Sequence, residues 1–160
     1  MKYLFKYLVP FVLVFLTACG DNYKMEETTQ KNEPVFPKGQ KVTNSNFIGT
    51  VWLNYFVETD TIHNVNMGLV SFEPGARTNW HFHKGGQILL ITDGIGLYQE
   101  RGKSIETIEK GNIIKCPPNT EHWHGATPTQ AMAHIAIGTN INLGGATWLE
   151  PVTDEDYLAK

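Results

Sequence analysis

The sequence predicts an all-β domain, on three observations. From Phe47 onward apolar residues come in runs of four to eight, separated by Gly, Pro, Asn and Asp. No stretch of that region keeps helical spacing over ten or more residues. The composition, 41% hydrophobic and 18% charged, is that of a chain able to bury a core. At 160 residues there is room for one such domain.

Residues 1–18 read as an export signal. Lys2 and Lys6 form the charged head, and Tyr7 to Leu16 an apolar segment interrupted by Pro10. As a helix those ten residues reach ~15 Å, about half a bilayer core, so a spanning segment is not expected. Leu16-Thr17-Ala18-Cys19 resembles a bacterial lipobox, which implies lipidation of Cys19 and residence in the cell envelope as an exported lipoprotein. Loss of Lys2 and Lys6 moves the formal charge from −3 to −5, and an acidic product has no electrostatic footprint for nucleic acid. The membrane is then met through the lipid anchor only. Residues 19–46 follow as the lipidated N-terminus and a flexible tether, polar and short of apolar side chains.

Residues 47–160 hold the expected domain. Thr50–Val57 and Met67–Phe72 are the first long strands, the second stopped by Pro74-Gly75. Ile88–Thr92 is expected to end in a turn at Asp93-Gly94, and Gly96–Glu100 to run to a hairpin tip at Arg101-Gly102-Lys103. Ile105–Ile108, Asn112–Cys116, His122–Ala126 and Met132–Ile137 complete the set, and Thr153 is placed to cap a short C-terminal helix. Cys116, ahead of Pro117-Pro118, reads as a small buried hydrophobe rather than half of a disulfide.

Five of the six histidines fall between His81 and His134. His81 and His83, two apart, share one face of a strand, and Gln87 returns beside them across Gly85-Gly86. His122 arrives on a distant strand, with His124 two further on and on the same face. Three imidazoles from two strands can converge inside a barrel, where neutral histidine is the commonest ligand for divalent transition metals. Gln87 offers an amide oxygen as a fourth ligand. Trp80 and Trp123, each one residue from a histidine, turn to the opposite face and read as sheet packing. Glu73 and Arg77 read as a strand-end charge and a surface or barrel-rim pairing group.

The spacing also resembles a known family. Gly75, His81-Phe82-His83, Gln87 and Gly94 stand as in the first cupin motif; Gly111, Pro117-Pro118-Asn119 and His122 stand as in the second. Resemblance to the cupin superfamily implies a double-sheet jelly-roll barrel with a metal inside. The sequence departs from the motifs at Gln87, usually Glu; at Asn119, usually Gly, though Asn tolerates a left-handed backbone; and at Ala126, where Asn is common. Gln87 leaves the ligand set without charge.

Phe72-Glu73-Pro74-Gly75-Ala76-Arg77-Thr78, His122-Trp123-His124-Gly125-Ala126 and Pro151-Val152-Thr153-Asp154-Glu155 are similar to a subgroup of small bacterial cupins. These are the carboxymuconolactone decarboxylase-associated cupins, together with the manganese-dependent cupin hydroxynitrile lyases. That resemblance implies His81, His83, Gln87 and His122 as ligands, manganese ahead of iron, nickel, copper or zinc, and His134 as acid/base with His124 beside it. A small-molecule substrate is implied, and self-association is left open. A quercetinase-like dioxygenase and a non-enzymatic metal- or ligand-binding envelope protein remain alternatives on the same residues. His124 can equally orient a ligand, and His134 can equally be a hydrogen-bonded core residue.

Overall fold

A computed structural model describes residues 35–60 and 62–159. The signal, Cys19 and the first part of the tether lie outside those residues. Among the described residues no helix is long and apolar enough to cross a membrane.

Among the described residues twelve strands form one curled antiparallel sheet. In chain order they are β1 (Gln40–Lys41), β2 (Phe47–Ile48), β3 (Val51–Val57), β4 (Val65–Phe72), β5 (Arg77–Thr78) and β6 (His81–His83). They continue with β7 (Gln87–Glu100), β8 (Glu106–Glu109), β9 (Ile113–Cys116), β10 (His122–Ala126), β11 (Met132–Thr139) and β12 (Ala146–Trp148). One half of the curl runs β1-β3-β4-β11-β7, with β9 also on β7. The other is built on β10, which pairs with β7, β5 and β6, while β2 lies on β5 and β12 on β6. The all-β jelly-roll expectation therefore stands.

The single strand β7 belongs to both halves, and this corrects the expected turn at Asp93-Gly94. The chain does not reverse there. Residues 87–94 pair with β11, and residues 96–100 with β10. A register shift between Ala133 and His134 leaves Thr92 without a Cα partner on β11. Gly94 sits at φ 72°, and a Cβ on it would lie 2.0 Å from the Ala131 carbonyl oxygen. Both features bend a strand at a sheet corner, so the glycine marks a bulge and not a hairpin.

A second correction concerns the tether. The expected tether runs to residue 46, yet Gln40 and Lys41 pair with Leu53 and Trp52 on β3. Phe36 stacks on Phe56 with ring centroids 4.6 Å apart, and Val42 packs against the core. The apolar residues Phe36 and Val42 suffice to seat a segment whose average composition is polar.

Apolar residues fill the interior as strand alternation requires: Val51, Val70, Phe72, Leu89, Ile91, Tyr98 and Ile108 form the main core. Cys116 lies in it, and burial pushes its thiol up to about 12. A second cluster sits outside the curl, where Trp80 and Trp123 pack with Val152 and Tyr157. That is the outward orientation expected for both tryptophans. The C-terminal helix α1 (Asp154–Leu158) closes this cluster; the Thr153 hydroxyl accepts from the Asp156 N–H at 3.0 Å, as the sequence indicated. Arg77 is not the surface or rim group expected but a buried post between sheet and helix, 4% exposed. Its guanidinium donates to the Val152 carbonyl and to Asp154, and lies 4.4 Å from the Tyr157 ring centroid.

Candidate metal centre

Two adjacent strands and one turn bring the ligands together. His81 on β6 stands directly opposite His122 on β10, and their ring centroids are 4.4 Å apart. His83 lies two residues on from His81, so strand alternation returns it to the same side. Gln87 comes from the other half of the curl, at the start of β7. The turn that delivers it is tight: Gly86 has φ 84°, and a Cβ on Gly85 would lie 2.0 Å from the Thr139 carbonyl oxygen. Asn119, left-handed at φ 60°, donates its N–H to the His83 carbonyl at 2.9 Å, tying the loop before His122 to the first histidine pair.

His81, His83 and His122 each present a ring nitrogen within 4.8 Å of the others. The tautomers follow from their partners. His81 Nδ1 faces the Asn79 carbonyl at 3.0 Å and His122 Nδ1 the Thr120 carbonyl at 2.8 Å. A carbonyl oxygen only accepts, so both Nδ1 atoms carry the hydrogen and both Nε2 atoms keep a lone pair for a cation. The Gln87 Oε1 lies 3.1 Å from His122 Nε2. A bound cation would satisfy both acceptors. His83 Nε2 is buried with no hydrogen-bond partner. Burial holds all three rings neutral: it takes His83 down to about 4, lowers His122, and lowers His81 well below its usual range. Neutral nitrogen donors with one amide oxygen are what a divalent transition ion takes. The residues fit a metal.

Beside this centre lies a second histidine pair. His124 on β10 and His134 on β11 are both buried, and His134 Nε2 is 3.1 Å from His124 Nδ1. The rings meet edge to face, with Phe72 against both. His124 Nε2 has no protein partner. Burial lowers His124 well below its usual range and brings His134 to about 3, so both are neutral.

A cavity of ≈ 240 Å³ opens onto His81, His83, Gln87 and His124. His134 is not on its wall and stands behind His124. The wall also carries Phe47, Tyr55, Asn66 and Trp148, none of which the sequence singled out. Trp148 lies on the three-residue β12, opposite His81, with its ring centroid 4.7 Å from that histidine. A strand so short gives no periodicity to read. A larger hollow, lined by residues 39–44 of the β1 edge together with Leu53, Asn54 and Tyr55, is shallow and contains none of these histidines.

Known proteins share sequence or fold with this chain. Residues 68–138 match the model of the cupin domain. Over 111 residues the chain is 42% identical to an (R)-mandelonitrile lyase of Granulicella tundricola, covering 69% of this chain and 85% of that protein. It is 47% identical to a cupin-like protein of Thermotoga maritima, whose crystal structure superposes with a TM-score of 0.75 over 78% of this chain and 95% of that one. A cupin 2 conserved barrel protein of Rhodopseudomonas palustris, 15% identical, shares the fold at a TM-score of 0.57, covering 73% of this chain and 78% of that one. With domain match, sequence identity and barrel all in agreement, the chain belongs to the cupin family.

Proposed function

We propose that the protein is a metal-dependent lyase that cleaves a small cyanohydrin into a carbonyl compound and hydrogen cyanide. The observation that carries this reading is a neutral histidine, His124, on the wall of the cavity that also exposes His81, His83 and Gln87 of the charge-free ligand set, with His134 behind it. His81, His83, Gln87 and His122 would hold the ion, and the resemblance of the sequence motifs to the manganese-dependent cupin hydroxynitrile lyases puts manganese first among the divalent metals such a site accepts. When bound, the ion supplies Lewis acidity, which lowers the pKa of a hydroxyl near it.

The chain's own residues handle the proton. His124 Nε2, free of protein partners, receives the hydroxyl hydrogen; the hydrogen on Nδ1 of the same ring is held by His134 Nε2 at 3.1 Å. Positive charge is thereby shared with the deeper ring. As the C–C bond breaks, the electron pair leaves with cyanide, the hydroxyl carbon becomes the carbonyl, and the His124 proton returns to the cyanide. Phe47, Trp148 and Val70 give the cavity apolar walls. At ≈ 240 Å³ it is below the roughly 300–1,000 Å³ of sites for drug-sized ligands, which favours a small substrate.

The test is release of benzaldehyde and cyanide from mandelonitrile by protein loaded with manganese, compared with protein treated with chelator. No release with any divalent ion would refute the lyase reading. Oxygen uptake with a flavonol would assign the same site to a dioxygenase, and metal binding without turnover to a binding protein. We further propose that the protein acts from the cell envelope, exported and lipidated at Cys19; mass spectrometry of the mature N-terminus tests this.

A further inference from the structure

Three imidazoles and an amide bring no negative charge to a cation enclosed in a barrel, where an uncompensated charge is costly. The pairing of β7 with β10 places a carboxylate near it. Glu100 stands directly opposite His122, and Tyr98 directly opposite His124. Residues opposite one another in an antiparallel pair share a face. The outward face is marked independently, because Trp123 donates from its indole to Gln99 Oε1, between Tyr98 and Glu100. Tyr98 and Glu100 therefore share the face of His122 and His124.

The Glu100 carboxylate is held at both oxygens. The buried Tyr98 hydroxyl donates to Oε1 at 3.2 Å, and Lys103 Nζ lies 2.5 Å from Oε2. The Tyr98 ring in turn lies 5.7 Å from the His122 ring. Of the carboxylates that form ion pairs, Glu100 is the least exposed, its side chain at 16% where the others are at 37% or more. Its partner Lys103 is 64% exposed, at the hairpin tip outside the barrel. The lysine holds the carboxyl below its ordinary range, so the group carries its charge at neutral pH.

We propose that Glu100 is the counter-charge of the metal centre, a positioning residue that strengthens cation binding through its place beside His122 without being a ligand. This rests on the reading of His81, His83, Gln87 and His122 as the centre. It assigns Tyr98 the task of fixing the carboxylate, and it makes Lys103 a competitor for the same negative charge.

The experiment measures manganese and zinc affinity by competition with a chromogenic chelator, with no enzyme assay involved. Glu100→Gln keeps the shape and removes the charge, and should weaken both metals by roughly 10–100-fold. Glu100→Asp should recover most of the affinity, which a purely shape-based role would not produce. Affinity of folded Glu100→Gln within about threefold of the parent protein would overturn the proposal. If that variant fails to fold, Lys103→Met decides, since it alters an exposed side chain: tighter metal binding supports the proposal, and unchanged or weaker binding overturns it. A parent protein that takes up no metal would refute the centre itself, whereas normal uptake with an insensitive Glu100 refutes this inference alone.

Discussion

His134 Nε2 lies 3.1 Å from His124 Nδ1, and only one of those nitrogens can carry the hydrogen between them. The tautomer of the ring that lines the cavity is thus coupled to that of the deeper ring. His134→Gln should retain metal affinity and lower kcat by roughly 10–100-fold, the usual cost of removing a group that orients a working histidine. Loss of metal affinity instead, read by chelator competition, would make His134 a structural support of the centre.

Acid sensitivity has a definite sign. The native protein keeps His83 neutral down to about 4 and His134 down to about 3, whereas the unfolded chain protonates both near 6.5. Below 6.5 the unfolded state binds more protons, so stability is greatest above that pH and is lost as pH falls toward the native values. Each such histidine contributes a slope of about 1.4 kcal/mol per pH unit within that window. Urea unfolding of chelator-treated protein should give a midpoint that drops between pH 7.5 and pH 5. A flat profile would show that the histidines are not held neutral.

The C-terminal segment should behave as a clasp on the outside of the sheet. Tyr157 donates to the Ala126 carbonyl at 2.7 Å and packs on Trp123 and Arg77. Tyr157→Phe should cost about 1 kcal/mol and Tyr157→Ala about 3–5 kcal/mol in urea unfolding. Neither substitution touches a cavity residue, so metal affinity should be unchanged.

Strand alternation made much of the site legible beforehand. The two-residue spacings His81–His83 and His122–His124 placed the histidines inward and Trp80 and Trp123 outward, and the separate clusters they form agree. Reading a turn at Asp93-Gly94 failed because a positive-φ glycine serves a bulge as well as a hairpin, and only the pairing across β11 distinguishes the two. Phe47 and Trp148 escaped notice because their strands have two and three residues. Glu100 escaped because its neighbour His122 is adjacent only through the sheet.

Gly94→Ala tests the corner directly. A methyl there would meet the Ala131 carbonyl oxygen at 2.0 Å, on a backbone that disfavours any side chain. Destabilisation of more than about 2 kcal/mol is expected in urea unfolding, and a neutral effect would mean that the bend of β7 is not fixed by this residue.

Metal content is the most direct measure of the central claim. Elemental analysis of protein purified without added metal, alongside folded His122→Ala checked by near-UV circular dichroism, compares the centre with and without one imidazole. The account predicts a stoichiometric divalent transition metal in the parent protein, or uptake to that level on titration, and its loss from His122→Ala. A folded His122→Ala protein that binds the ion as tightly as the parent would contradict it.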